Sequence, residues 1–87
     1  MTVRSVSDSC IELAGTCPSA DAEPLLRLLL SMPGARVDWR GCHGAHAAVV
    51  QVLMAARPKL LGPAADRSLG RWVAPAITAN RITRSDP

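Results

Sequence analysis

Three side chains that can bind a metal ion or act as nucleophile and base fall within five residues. They are Cys42, His43 and His46, here called the Cys–His cluster. Zinc prefers cysteine and histidine ligands, and a cysteine at a helix N-terminus with an imidazole base nearby is a possible nucleophile. A structural zinc site needs four ligands, and Cys10 and Cys17 belong to another predicted element. We favour a simpler interpretation: Cys42 is buried, His43 lies on the surface and His46 is partly buried.

Asp38 is the carboxylate nearest to the Cys–His cluster, and it stands where an apolar residue is expected on a central strand. It can hydrogen-bond the next loop or line a docking surface. It can also form an ion pair with Arg36 or Arg40 on a solvated strand end, which we favour. We therefore predict no enzyme, no catalytic residue, no metal and no other cofactor. A small metal- or thiol-dependent protein using the Cys–His cluster remains the alternative.

Composition predicts one small globular domain. The chain has 87 residues, of which 48% are hydrophobic, and a formal charge of +3 from scattered arginines. Phenylalanine and tyrosine are absent. Because nucleic acids are bound by concentrated basic surfaces and by stacking on aromatic rings, we predict no nucleic-acid partner. A basic patch of Arg57, Lys59, Arg67 and Arg71 for a phosphate or acidic partner is the alternative to a solvated face, which we favour.

The cysteine pattern and the apolar segments indicate in which cellular compartment the protein is expected. The three cysteines show no paired spacing, and the N-terminus alternates polar and apolar residues instead of forming a signal peptide. The longest apolar run, from Ala45 to Ala56, is interrupted and too short to cross a bilayer. We expect reduced thiols, a cytoplasmic protein and no membrane partner.

Four strands and three helices are predicted from apolar periodicity and turn residues. The strands are Thr2–Val6 at an edge, Cys10–Ala14 ending at Gly15, Ala35–Trp39 ending ahead of Gly41, and Lys59–Gly62. The first helix is Ala22–Met32, with Asp21 as its N-cap. The second is His46–Ala56, and its buried stripe contains His46, Val49, Val50, Leu53 and Met54. A third helix has Asp66 as its N-cap. The third has Leu69, Trp72, Val73, Ala76 and Ile77 on its buried stripe, and Pro75 is expected to kink it or end it early.

The order of these elements predicts the fold class. Parallel strands need crossover connections, and these are right-handed. The chain is therefore an α/β protein with a small mixed, mostly parallel sheet of about four strands and about three helices packed largely on one face. Residues 1–77 form this single domain, and residues 78–87 are predicted to be a flexible tail.

Several segments match the motifs of a known family in order. They are Ile11-Glu12-Leu13-Ala14-Gly15, Asp38-Trp39-Arg40-Gly41-Cys42, Ala45-His46-Ala47-Ala48-Val49-Val50, Ala55-Ala56 and Asp66-Arg67-Ser68-Leu69. Over about residues 10 to 77 the chain resembles the STAS domain, the fold of anti-sigma-factor antagonists and of the cytoplasmic tails of sulfate transporters. The resemblance implies a bacterial regulatory protein-interaction module. Its implied partner is an anti-sigma-factor-like kinase or a sensory complex, and the oligomeric state stays open.

One departure from the family pattern affects regulation. In switch-type STAS domains a partner kinase phosphorylates a serine at the start of the second helix. Here Ala47 and Ala48 occupy the two serine positions and His46 that of the preceding acid, so the resemblance implies a docking face without this switch. The predicted partner-binding residues are Asp38, Gly41, Cys42, His43, Gly44, Ala47, Ala48 and Gln51.

Overall fold

The computed structural model describes residues 2–77, which fold into a four-stranded mixed sheet with three helices, as the sequence predicts. The strands are β1 (Val3–Ser7), β2 (Cys10–Cys17), β3 (Arg36–Ala45) and β4 (Lys59–Leu61). A 3-10 turn, Ser19–Asp21, leads into α1 (Ala22–Ser31), and α2 is Ala47–Ala56. The last helix, α3, covers residues 67–77 and contains a π-helical turn, Leu69–Val73. The tail predicted at residues 78–87 lies outside the described residues.

The sheet order is β1-β2-β3-β4, with β1 antiparallel to β2 and the other two pairs parallel. A tight turn joins the antiparallel pair, whereas α1 and α2 are the crossovers of the two parallel pairs. Right-handed crossovers between successive neighbours place both helices on the same face. The predicted N-terminal edge strand is confirmed as β1.

One hydrophobic core lies between the sheet and its helices. It is built from residues at 8% exposure or less, of which Trp39 on β3 is the largest. The other principal members are Ile11, Leu13 and Cys17 of β2, Val37 and Cys42 of β3, Leu25 of α1, Val49 and Leu53 of α2, and Leu69 and Ile77 of α3. The opposite face of the sheet has no described helix over it, so its side chains are mostly polar or small.

The sequence prediction for β3 was wrong at its C-terminal end. We predicted a strand ending near Trp39 and a helix soon after Gly41, but β3 continues to Ala45. Pairing with β2 shows why: β3 takes one extra residue between Asp38 and Gly41 and another between Cys42 and Gly44. These bulges break the alternation of period two, so glycines that resemble a strand end lie inside the strand.

The predicted end of β2 was also too early, because the strand passes through Gly15 to Cys17. Gly15 has a φ of 75°, a conformation that glycine adopts without the steric cost of a Cβ. It pairs with Cys42 at the second bulge of β3. The glycine therefore accommodates the distorted register and does not terminate the strand.

The second helix starts one residue later than predicted, at Ala47, and His46 is its N-cap. The prediction that His46 and Met54 lie on the buried stripe was wrong, because both are exposed. Val49 and Leu53 are the fully buried members of that stripe.

The last helix differs from the prediction in the residues it buries. Asp66 caps it as predicted, with its Oδ1 accepting from the Ser68 N–H at 2.7 Å. Trp72 was predicted to be buried but is 68% exposed, because the π turn changes the helical phase and the stripe follows Leu69, Val73 and Ile77. The helix continues past Pro75 to residue 77, because the wider π turn comes just before the proline.

Two glycines near Trp39 provide a matched test of this packing. A Cβ on Gly62 would overlap the indole Nε1 of Trp39, whereas one on Gly70 would meet no atom within 4 Å. We expect Gly62→Ala to lower the free energy of unfolding by about 1–3 kcal/mol, the usual cost of overpacking. Gly70→Ala should raise it by up to about 1 kcal/mol through helix propensity. Urea denaturation of both variants measures this, and equal effects would contradict the described packing.

Candidate functional site

The carboxyl ends of β2 and β3 meet the starts of the 3-10 turn and of α2 at one edge of the sheet. We name this edge, residues 16–20 and 43–48, the carboxyl edge. A hydrogen bond of 2.9 Å from the His46 N–H to the Cys17 carbonyl joins its two segments. Four of the predicted partner-binding residues, His43, Gly44, Ala47 and Ala48, lie here, so this edge is the candidate site.

The structure does not bring the Cys–His cluster together. Cys42 is fully buried, whereas His43 and His46 are exposed. The imidazole Nδ1 of His46 accepts a hydrogen bond from the Ala48 N–H at 3.1 Å and so caps α2. Within the described part of the chain, no group of three or more His, Cys, Asp or Glu side chains is placed to hold a metal ion. Among residues 2–77 the geometry therefore assembles no ligand set for the metal or thiol alternative.

A second thiol, which sequence reasoning left outside the site, lies beneath this edge. Cys17 is fully buried, and burial followed by the neighbouring Cys42 raises the pKa of its thiol to about 11. Cys42 in turn donates to the Gly44 carbonyl at 3.3 Å. The nucleophile in thiol chemistry is the thiolate, so a thiol with this pKa is poorly suited to attack near neutral pH. The alternation of Ile11, Leu13 and Cys17 is the sequence signal that places Cys17 on the inner face.

Two polar groups are also buried. The Asp21 carboxylate is 8% exposed, and its Oδ2 has no hydrogen-bond partner among the described residues. The Thr2 hydroxyl oxygen is likewise buried and has no hydrogen-bond partner among the described residues. Asp21 precedes α1 as predicted but makes no side-chain cap hydrogen bond.

The predicted partner-binding residues separate into three groups. Ala47 and Gln51 are exposed on α2, with Ala48 half-buried beside them. Gly41 and His43 are exposed on β3, and Gly44 and Asp38 are half-buried there. Cys42 is in the core. The carboxyl edge unites His43, Gly44, Ala47 and Ala48, whereas Asp38 lies farther back along the strand.

Asp38 forms the ion pair with Arg40 that we favoured from the sequence. Its Oδ1 accepts from the Arg40 Nε at 3.0 Å and from the Arg40 backbone N–H at 3.1 Å, and its Oδ2 accepts from Nη2 at 2.8 Å. The side-chain hydrogen bonds, followed by the backbone one, lower the pKa of Asp38 to about 2. On the same face, Arg4 of β1 pairs with Glu12 of β2 at 2.8 Å. The pair with Arg40 therefore holds the Asp38 carboxylate on the uncovered face of the sheet.

Comparisons of the chain with protein-family models, with curated proteins and with solved structures find no match. The resemblance to STAS domains therefore stays a prediction from sequence motifs. None of the helices in residues 2–77 has the length and apolar character required to cross a membrane.

The Asp38–Arg40 pair predicts a specific pH dependence. Folding lowers the pKa of Asp38 to about 2, below the usual value of about 3.9. Its contribution to stability is therefore complete above about pH 4 and is lost as the pH falls towards 2. We expect Asp38→Asn to lower the free energy of unfolding at pH 7 by up to about 1 kcal/mol, as for exposed ion pairs. The difference from the parent chain should shrink below pH 4 and be lost as the pH falls through 2.

Urea unfolding at pH 7, 4 and 2 measures this difference. In an Arg40→Gln background the same Asp38→Asn change should cost less, because the partner is already missing. A cost that is equal at all three pH values, or equal in both backgrounds, would show that the pair does not account for the effect.

Proposed function

We propose that this chain is a non-catalytic regulatory protein-interaction module that docks a partner protein through the carboxyl edge. The observation that carries the proposal is the distribution of charge. Neither residues 13–20 nor residues 41–56 contain Asp, Glu, Lys or Arg, and these two segments meet at the edge. Depletion of charged residues is a mark of the buried centre of protein interfaces.

The shape of the edge supports the same proposal. Thr16, Pro18, His43 and Ala47 are exposed there, and each is small or uncharged. Small side chains let a partner approach the backbone closely, and hydroxyl and imidazole groups can supply hydrogen bonds at the rim. The N-cap bond of His46 holds the start of α2 in place, so the surface is formed before a partner binds.

The sequence resemblance adds the proposed class of partner and mode of regulation. Switch-type STAS domains bind a kinase at the matching position and are controlled by serine phosphorylation. With Ala47 and Ala48 at the two serine positions, we propose docking that does not depend on phosphorylation there. We further propose a bacterial cytoplasmic setting, with an anti-sigma-factor-like kinase or a sensory complex as the partner.

Two variants of α2 test docking through the carboxyl edge. Ala47→Glu places a carboxylate at the first residue of α2, where the helix dipole favours it. Ala55→Glu places the same group in the last turn, about 12 Å farther along the helix, where the dipole disfavours it. Both alanines are exposed. We expect Ala47→Glu to lose the partner in an affinity pull-down from native cell extract, with at least a tenfold loss of recovered protein by mass spectrometry.

The Ala55→Glu variant separates docking from stability. It is expected to be the less stable of the two, by about 0.3–1 kcal/mol, yet to retain the partner. Loss of the partner in both variants would point to unfolding. Retention in both would contradict docking at the carboxyl edge.

A further inference from the structure

An apolar groove lies away from the carboxyl edge, between the outer edge of β1 and one flank of α1. Its volume is about 520 Å³, and it is open to solvent, within the usual range for ligand sites. The walls are residues 3–5 of β1 and, on α1, chiefly Pro24, Arg27 and Leu28. Pro24 and Leu28 are half-buried, so part of each apolar side chain is accessible from the groove. No Asp or Glu of residues 2–77 lines it.

The outer edge of β1 carries unpaired backbone groups. β1 is the end strand of the sheet, so within residues 2–77 it pairs only with β2. The Ala14 N–H donates to the Thr2 carbonyl at 2.9 Å, which directs the backbone polar groups of Thr2, and of Arg4 two residues on, towards β2. Those of Val3 and Ser5 point to the outer edge, because the direction alternates along an antiparallel strand. Their N–H and carbonyl groups are therefore available to another strand.

The regular part of this edge coincides with the groove. The pairing of β1 with β2 is regular from Val3 to Ser5 and shifts between Ser5 and Ser7, and residues 3–5 are the ones that line the groove. Side chains alternate between the two faces of a sheet. A strand added here would place every second side chain in the groove beside Leu28 and the others on the uncovered face beside Arg4. The site thus offers backbone pairing and apolar contacts to an extended polypeptide, as in β-strand addition.

Charge favours an acidic residue opposite Arg4. The Arg4 Nε donates to Glu12 at 2.8 Å, which leaves the two Nη groups of the guanidinium for a second carboxylate. The side chain of Arg4 is 66% exposed. The uncovered face as a whole has more basic than acidic side chains on its strands. The basic ones are Arg4, Arg36, Arg40 and Lys59, and the acidic ones are Glu12 and Asp38.

A second copy of this chain fits the edge less well. If residues 3–5 of two copies paired with each other in antiparallel fashion, Arg4 would lie opposite Arg4, and like charges in that position are destabilising. Such a copy would present only Val3 and Ser5 to the groove, and neither side chain is large. The groove and its charge therefore favour a strand of different sequence.

We propose that this groove binds an extended segment of another protein as an added strand, with an acidic residue opposite Arg4 and a large aliphatic residue on each side of it. The aliphatic side chains pack against Pro24 and Leu28, and their backbone groups pair with those of Val3 and Ser5. This surface is separate from the carboxyl edge. It therefore goes beyond the docking proposed above, and either proposal can fail without the other.

The probe is the peptide acetyl-Thr-Leu-Glu-Leu-Thr-amide, whose central residues read the same in both strand directions. It is added to the full chain labelled with nitrogen-15 and followed by NMR. We expect saturable shifts of the Val3 and Ser5 amides, with a Kd on the order of 0.1 mM, as suits a short peptide that becomes ordered on binding. Hydrogen exchange of these two amides should slow by about tenfold or more, whereas the Arg4 amide is already protected by β2.

Three control peptides separate the parts of the recognition. A peptide with Lys in place of Glu, and one with Ser in place of both Leu, should each bind at least about tenfold more weakly. A peptide with N-methyl groups on both Leu keeps the side chains and the charge but cannot donate to β1, and it should not bind. In the Arg4→Gln chain the Glu and Lys peptides should bind equally.

Matched variants of the chain locate the added strand. Ser5→Pro removes an outward N–H and none of the N–H groups that pair with β2, and proline is tolerated on edge strands. It should weaken the peptide at least about tenfold, whereas Ser5→Ala, which keeps the N–H, should not. Ala47→Glu at the carboxyl edge should have no effect. Retained protection of the Arg4 amide shows that β1 is still folded.

Several results would overturn the proposal. They are the absence of a saturable shift, equal binding of the Glu and Lys peptides to the parent chain, and binding of the N-methylated peptide. Val3 and Ser5 amides that are already protected in a chain of dimeric mass would show that a second copy occupies the edge instead.

Discussion

The register between β2 and β3 is the constraint on which the rest of the structure depends. Along β2 the inward positions follow strict alternation, through Ile11 and Leu13 to Cys17. Along β3 the inward residues are Val37, Trp39 and Cys42, so the spacing changes from two to three. Each extra residue in β3 is absorbed by a bulge. Without the first bulge Cys42 would face solvent, because a shift of one residue moves every later side chain to the other face.

The second bulge determines where α2 begins. It brings Gly44 opposite Thr16 and Ala45 opposite Cys17, after which the His46 N–H reaches the Cys17 carbonyl. The chain is thereby fixed at the point where His46 caps the helix. β4 pairs only with the first part of β3, and beyond it a 3.0 Å hydrogen bond from the Asp66 N–H to the Cys42 carbonyl fixes the start of α3. The bulged strand therefore positions both helices that follow it.

The sequence was sufficient for the fold class because apolar periodicity is strong in most elements. The order of strands and helices, the Asp66 cap and the Asp38–Arg40 pair could all be predicted from local patterns. The bulges could not, because a spacing of three between Trp39 and Cys42 looks helical and the glycines at positions 41 and 44 look like turn residues. The local pattern also placed Trp72 in the core, which was wrong. The change of helical phase that exposes it comes from a π turn, and apart from Pro75 the sequence does not indicate that turn. The buried neighbourhood of Cys17 and Cys42 depends on pairing between segments far apart in sequence, which one sequence does not show.

Charged side chains are unevenly distributed over this small molecule, because the two faces of its sheet differ in what covers them. The helices cover one face, so the uncovered face must tolerate water, and it does so with the pairs Arg4–Glu12 and Asp38–Arg40. At the carboxyl edge the backbone changes direction twice within a few residues, where small residues fit and long charged ones are absent. The indole of Trp39 is buried with Gly62 packed against it, and the π turn around Gly70 leaves open space at the cavity that these residues line. The chain has no phenylalanine or tyrosine, and its second tryptophan, Trp72, is exposed, so no second large ring among residues 2–77 fills that space. The same shortage of large side chains thus accounts for both the accessible carboxyl edge and the open cavity.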